Sequence, residues 1–486
     1  MITIKLLISI KSALTKQTET NSKSNSGSKL NYRNTLFACL PIFLVTCGFQ
    51  QYTAKPVSTD IIAAKIENKN PDSAQFHQFL INHGYLPERL PIQQWGVDEL
   101  TFCALFFHPS LDVARAQWRA AESAQLTAAE KAAPTLNGHL AHSSNTNNDV
   151  SPYAFGLSID IPIETANKRA IRIENASHLS QAAKLEIAQV AWQLRNQVAQ
   201  SLYEYQFNQQ QIYLLSKEQA YWQEIVAIYQ KRISLGAASN LELSTATLQL
   251  QTITAKLNAH QQNKLVLLSK LANHSGLPLR KLETMPLAHD SYKMPDHIRT
   301  APENLNAAAL LNRLDIRISL ERYAAAEAKL KLEIAKQYPD LIISPGYAYE
   351  FGDKIWSLGL SGLLTLLNKN KLAIAEATQL REIEAAQFEA LQNTVIAEAD
   401  TANAKLAQAR QVLEQQATLY QQQQNHTQRM ARKLSAGEID RLELTYVKLE
   451  EVVAERNVAL AHFQLKTALN QLENALQQPQ KQAAIN

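Results

Sequence analysis

Apolar and aromatic residues recur at Val198, Leu202, Tyr205, Ile212, Leu215, Trp222, Val226, Tyr229 and Ile233, with Gln209 and Gln219 in the two gaps. The steps alternate between three and four, a period near 3.5, which is the seam of a coiled coil. The stretch from Thr165 to Gly236 holds no Pro, and no Gly before the closing Leu235-Gly236. It therefore predicts a single helix of about 70 residues and roughly 105 Å. No compact core needs a helix of that length, so it is expected to pair with a neighbour over many turns.

Elsewhere the period is two. Phe155, Leu157, Ile159 and Ile161 alternate with Ala154, Gly156, Ser158 and Asp160, after a strand-like Thr135 to Ala141 and a polar turn over Ser143 to Asp149. A second pair follows. Leu341, Ile343, Tyr347 and Tyr349 oppose Asp340, Ser344, Gly346 and Glu350, and Trp356, Leu358, Leu360, Leu364 and Leu366 oppose Ser357, Gly359, Ser361 and Thr365. Strands of about ten residues, apolar on one face and small or polar on the other, are the pattern of transmembrane barrel strands. Tyr153, Phe155, Tyr347, Tyr349 and Trp356 lie near strand ends, where an interfacial girdle belongs. A soluble sheet packed on helices would alternate equally well; the long helices and an export signal favour the membrane. Four strands cannot close a barrel, for which about eight is the minimum; three chains would supply twelve.

The same order of elements occurs twice. Ala133-Pro134, Gly156-Leu157-Ser158, Lys168 with Ala170 and Ile171, and Leu241-Glu242-Leu243 match Tyr338-Pro339, Gly359-Leu360-Ser361, Lys371 with Ala373 and Ile374, and Leu442-Glu443-Leu444. Four motifs in one order at nearly constant offset mark an internal duplication. Residues 94–273 form a first repeat of helix, two strands, long helix, tip and return helix; residues 304–478 form a second, with a tail over 479–486. Helices are expected over Val97 to Lys131, Thr165 to Ile233, Leu241 to Asn273, Asn304 to Gln337 and Asn370 to Lys433. The half-length ones would stack end to end to match the long ones, with a Pro-rich equatorial linker at 274–303.

The 486 residues are 46% hydrophobic with only 13 Gly and 16 Pro, a helix-rich composition. The net charge of +4 comes from the first 46 residues; the remainder carries 42 basic against 43 acidic residues, which gives no footprint for nucleic acid. Lys29 and Arg33 precede the apolar run Leu36 to Val45, so residues 1–46 read as a secretory signal, too short for a membrane span, behind an unusually long lead. Leu44-Val45-Thr46-Cys47 is similar to a lipobox, with Thr46 in place of the usual small residue, and makes Cys47 the candidate lipid attachment. An incidental cysteine and a Cys47–Cys103 bridge are the other readings. Residues 47–93, with Pro56, Pro71, Pro87 and Pro91, are expected to form an irregular lead.

Arg232-Ile233-Ser234-Leu235-Gly236 and Lys433-Leu434-Ser435-Ala436-Gly437 each place a base four residues before a Gly, which permits the positive φ of a tight reversal. Glu242 and Glu443 sit just beyond the tips at matching positions. If they face an axis they would ring an entrance with carboxylates; a solvated face, or pairing with Arg232 or Arg441, explains them as well. Gln421 to Gln424 reads as water-facing. The twelve histidines are scattered, and His139 and His142 point to opposite faces of a strand, so no metal site is indicated. No cofactor-binding motif or catalytic constellation is present, and an enzyme is not expected.

From Cys47 onward the chain resembles the TolC-type outer-membrane efflux channels. Leu111 to Ala116 with Ala120-Ala121-Glu122 is similar to the family's first helix. Pro162-Ile163-Glu164 with Asn167-Lys168-Arg169, and Leu366 to Asn370, are similar to its strand-to-helix junctions. The junctions stand closest to the branch serving heavy-metal exporters of the resistance-nodulation-division type, although Ala166 stands where that branch often has Gly. The resemblance implies a mainly α fold with a small β part: a homotrimer with a 12-stranded barrel in outer-membrane lipid and a helical coiled-coil tunnel in the periplasm. It implies a passive exit duct whose tips, through Arg232, Leu235, Gly236, Lys433, Leu434 and Gly437, dock onto a periplasmic adaptor below which stands an inner-membrane transporter. It also places Glu443, more than Glu242, at the closed entrance. A periplasmic coiled-coil scaffold without channel activity is the alternative.

Overall fold

The computed structural model describes residues 50–144, 150–289, 313–362 and 369–478. The expected signal, Cys47, residues 145–149 of the polar turn, Leu364 to Leu366 of the second strand pair, residues 290–303 of the equatorial linker, residues 304–312 of the helix expected after it and the C-terminal tail lie outside these residues.

The chain divides into two units at Ile62. In the first, residues 50–57 are exposed and without regular structure. The second holds nearly everything else. Helix α1 (Thr59–Glu67) crosses the boundary and buries no residue; α2 (Ala74–Asn82) buries Phe76 and Leu80. The lead is therefore not irregular throughout, as its prolines suggested. Ser73 accepts from Phe76 N and starts α2, while Phe76, Phe79 and Leu80 share one face, so the prolines bracket short helices without preventing them. The expected helix from Val97 to Lys131 is likewise two, α3 (Val97–Phe107) and α4 (Pro109–Ala128). Pro109 lacks the N–H that a continuous helix would need there, and it forces His108 into extended backbone, from which a new helix starts.

After β1 (Thr135–His142) and β2 (Tyr153–Ile163) come α5 (Lys168–Ser234), α6 (Asn240–Ser275) and the short α7 (Leu279–Thr284). The order then recurs as α8 (Leu314–Ala335), β3 (Leu341–Glu350), β4 (Asp353–Gly362), α9 (Lys371–Ser435) and α10 (Arg441–Leu476). The long helices α5 and α9 have 67 and 65 residues, and the return helices 36 each.

The helices form one layer. Toward the strands α5 packs on α4 and α8, and α8 on α9; toward the tips α5 packs on α6 and α10, and α10 on α9. Half-length helices abut end to end. Arg313 donates from Nη1 to Ala475 O at 3.1 Å and Leu314 N donates to Gln477 Oε1 at 2.7 Å, joining the start of α8 to the end of α10. Gly276, at the end of α6, lies so close to His108 that a β-carbon on it would fall 2.8 Å from the His108 nitrogen.

The sheet is antiparallel in the order β1-β2-β3-β4. Its register aligns Leu140, Phe155, Tyr349 and Lys354, and likewise Gly138, Leu157, Tyr347 and Trp356. One face carries Leu157, Ile159, Ile161, Trp356, Leu358 and Leu360, all exposed, with Trp356 at 82%. The other carries Ala154, Gly156, Ser158, Gly346, Ser357 and Gly359. Gly156 leaves room for the exposed His139 ring, whose Cε1 stands 2.1 Å from where a β-carbon would be.

Each strand-to-helix junction uses two consecutive left-handed residues, Ala166 and Asn167 before α5, Lys369 and Asn370 before α9. Such conformations are unfavourable for residues with a β-carbon and are held by neighbours. Thr165 N donates to Asp340 Oδ1 at 2.9 Å, and the buried Lys168 ammonium donates to the same oxygen at 2.8 Å and to Tyr338 O at 2.6 Å. Asn370 Nδ2 donates to Glu333 O and Glu333 Oε2. The first junction is thus clamped onto the start of β3, which ties the two repeats together where helices meet strands.

Candidate functional site

The two tips are built alike. At the first, Gly236 N donates to Ile233 O at 2.9 Å and Ala237 N to Arg232 O at 2.8 Å; at the second, Gly437 N donates to Leu434 O at 3.0 Å and Glu438 N to Lys433 O at 2.9 Å. Each bond pair closes a helix end through a glycine in the left-handed region, at φ +71° for Gly236 and +76° for Gly437. Nothing lies within 4 Å of where either β-carbon would be. The backbone at both tips is open to whatever approaches it.

The flanking side chains differ. Arg232 donates from Nη2 to Asp440 Oδ2 at 2.7 Å, so the base of the first tip is engaged by the N-cap of the second return helix. Lys433 makes no ion pair among the described residues, and it is exposed. Leu235 is 73% exposed, whereas Leu434 is half-buried. Matching motifs thus present unequal surfaces.

Glu242 and Glu443 are the third residues of α6 and α10, and both carboxylates fold back in capping boxes. Glu242 Oε2 accepts from Ser239 N at 2.7 Å and from its hydroxyl at 2.8 Å; these bonds hold the Glu242 carboxyl below the usual carboxylate range. Glu443 Oε2 accepts from Asp440 N at 3.4 Å, and Asp440 Oδ1 accepts from Glu443 N at 3.0 Å. That backbone bond first, and the Arg232 guanidinium second, hold the Asp440 carboxyl low. Neither glutamate pairs with Arg232 or Arg441. Arg441 donates from Nε to Glu224 Oε1 at 2.6 Å instead. Asp440 and Glu224 escaped the sequence reading; the Asp440-x-x-Glu443 spacing was the available signal for the first, and none existed for the second.

Behind the tips Ile225, Tyr229, Ala246, Leu442 and Leu449 form one apolar cluster joining the hairpins, and Tyr229 and Tyr446 meet hydroxyl to hydroxyl at 3.4 Å. Farther along, the α5–α10 seam adds ion pairs to the stacked Phe207 and Phe463 rings. Lys217 meets Glu455 at 3.5 Å, Arg456 meets the buried Glu218 at 2.9 Å, and Arg195 meets Glu473 at 2.8 Å. Within the hairpins the seams are apolar, as with Leu215, Ile253 and Leu257 between α5 and α6.

Among the described residues the outer edges of the layer, α6 toward the tips and α9 opposite, have a packed neighbour on one side only. On α6 the exposed positions Leu241, Thr245, Leu248, Thr252, Ala255 and Ala259 follow alternating steps of four and three, and Val266 continues the stripe seven residues on. Strands β1 and β4 are the open edges of the sheet. Among the described residues there is no group of acidic, His or Cys side chains able to hold a metal, and no helix is long and apolar enough to cross a membrane.

Residues 104–276 match the outer membrane efflux protein family. The cobalt-zinc-cadmium resistance protein CzcC of Cupriavidus metallidurans is 23% identical over 246 residues, 49% of this chain; the chain spans only 56% of that relative's length. The outer-membrane channel OprN superposes with a TM-score of 0.66 at 17% identity, covering 88% of this chain and 97% of its own. The CmeC outer membrane channel of Campylobacter jejuni gives 0.64 at 13% identity, covering 94% of each chain. Residues 104–276 are thus similar to the outer membrane efflux protein family, and the chain has the fold of solved outer-membrane channels.

Proposed function

We propose that this protein is the outer-membrane duct of an efflux assembly, closed by three copies. The observation that carries the reading is the pair of open edges. An exposed heptad stripe on α6 has the spacing that packs against another helix, and α9, at the far edge, is the surface a second copy would offer. The same operation sets β1 beside β4 of the next copy, removing both sheet edges and completing twelve strands with Trp356, Leu358 and Leu360 toward lipid. The Ser, Gly and Ala face would then line the passage, which suits a duct that holds no solute tightly.

The tips at Gly236 and Gly437, remote from the sheet, would dock an adaptor that links the duct to an inner-membrane transporter. Glu242 and Glu443 would set a ring of negative charge at that entrance. Relatedness to a cobalt-zinc-cadmium resistance protein, with the junction motifs, supports heavy-metal cations as cargo. The test is twofold. Membrane fractionation and unboiled gels should show a heat-modifiable trimer in the outer membrane, and deletion should sensitise cells to cobalt, zinc and cadmium. A soluble periplasmic protein would refute the duct; unaltered metal tolerance with a trimer present would refute the cargo.

A further inference from the structure

Lys69 lies between α1 and α2, and its Nζ donates to Phe107 O at 2.8 Å and to Gly276 O at 3.1 Å. These carbonyls close α3 and α6, so one ammonium holds the negative ends of two helices. The next residue, His108, accepts at Nδ1 from Ser110 N at 3.2 Å and thereby caps α4, which requires that nitrogen to carry no proton. His274, in the last turn of α6, has its Nδ1 2.6 Å from Ser201 Oγ of α5, and Ser201 donates to Gln197 O at 2.7 Å.

Cations face His108, while Glu204 favours a charged His274. On the lead chain stand Lys69 and Lys65. On α4, Asp112 already takes Arg115 at 3.4 Å. Across α5 and α6, Glu204 already takes Lys270 at 2.7 Å.

We propose that this corner is an acid-sensitive fastening: protonation of His108 removes the cap of α4, sets a further cation beside Lys69 and loosens the hold of lead residues 63–93 on the ends of α3 and α6. His274 acts in the same sense, because its charged form disfavours a second cation at His108 and the reverse. Burial first, then Lys69 beside His108, holds that imidazole below the usual histidine range; burial does the same for His274 against the opposing pull of the Gln197 carbonyl, so the corner is closed at neutral pH. The device is independent of what passes through the protein. It couples the acidity around the molecule to the place where α6 abuts α4.

Hydrogen exchange of the full-length protein in detergent, corrected for intrinsic rates and read over 97–111 and α2, tests this at about pH 7.5 and about pH 5.5. Wild type should open about fivefold or more faster at the acid pH, since each unit of pKa separation is worth about tenfold. His108→Asn keeps a capping side chain but does not titrate in this range, so most of the acid response should vanish; adding His274→Gln should remove the rest. Lys69→Met should expose the corner at both pH values. Equal exchange at the two pH values in wild type, or an undiminished acid response in His108→Asn, would overturn the proposal.

Discussion

Replacing Gly236 and Gly437 separates docking from folding, because the structure sets the cost in advance. Both glycines are left-handed at φ +71° and +76°, with open space where a side chain would go. Alanine there meets no atom, and its penalty is the left-handed conformation alone, about 1–2 kcal/mol per residue. Confined to a solvent-exposed turn, that cost should not reach the packed seams. Gly276 is the internal control. Its φ is also +71°, but a β-carbon would stand 2.8 Å from the His108 backbone between α3 and α4, so Gly276→Ala adds a clash that no rotamer relieves. Unboiled gels and metal tolerance would be read together. Gly236→Gln and Gly437→Gln, which carry a similar penalty because they are not β-branched, should leave the heat-modifiable oligomer intact and abolish export, whereas Gly276→Ala should lose the oligomer itself. Normal metal tolerance in the two tip variants, with both proteins at wild-type level, would refute docking through the tips.

Other outcomes follow from single contacts. Ala166→Gly relieves a left-handed residue at φ 53° and should raise stability by roughly 1 kcal/mol, seen as a higher unfolding temperature; an unchanged temperature would mean that the clamp at Asp340 relaxes the strain. Lys433→Ala should weaken capture of a purified adaptor more than Arg232→Ala, whose guanidinium already serves Asp440; equal losses would contradict this division. Glu443→Gln keeps a capping-box acceptor while removing charge, so cation selectivity in planar bilayers should fall without loss of helix α10; an unchanged selectivity would place the carboxylate off the conduction path. His108, His260 and His274 all have depressed pKa values, so the unfolded chain binds more protons than the folded one below the ordinary histidine pKa. Stability should therefore hold above about pH 6.5 and fall as the pH drops below it; a melting temperature flat from neutral to mildly acidic pH would contradict the assignment.

Much of the architecture is decided by local pattern. The coiled-coil period from Val198 to Ile233 predicts α5, and Val198, Leu202, Leu215 and Tyr229 are indeed buried. Glycine at each tip and strict alternation in the strands predict reversals and faces, because backbone freedom and side-chain period act over a few residues. Even two missed features were locally written, the break at Pro109 and the capping boxes that engage Glu242 and Glu443. What no local pattern carries is pairing across the duplication. That Arg232 answers to Asp440, Glu224 to Arg441 and Lys168 to Asp340 depends on the tertiary arrangement of the two repeats, and Lys69 reaches two helix ends for the same reason. Charge pairs are short-ranged in space and indifferent to distance along the chain, so only the tertiary structure decided which tip has an engaged base and which an available one.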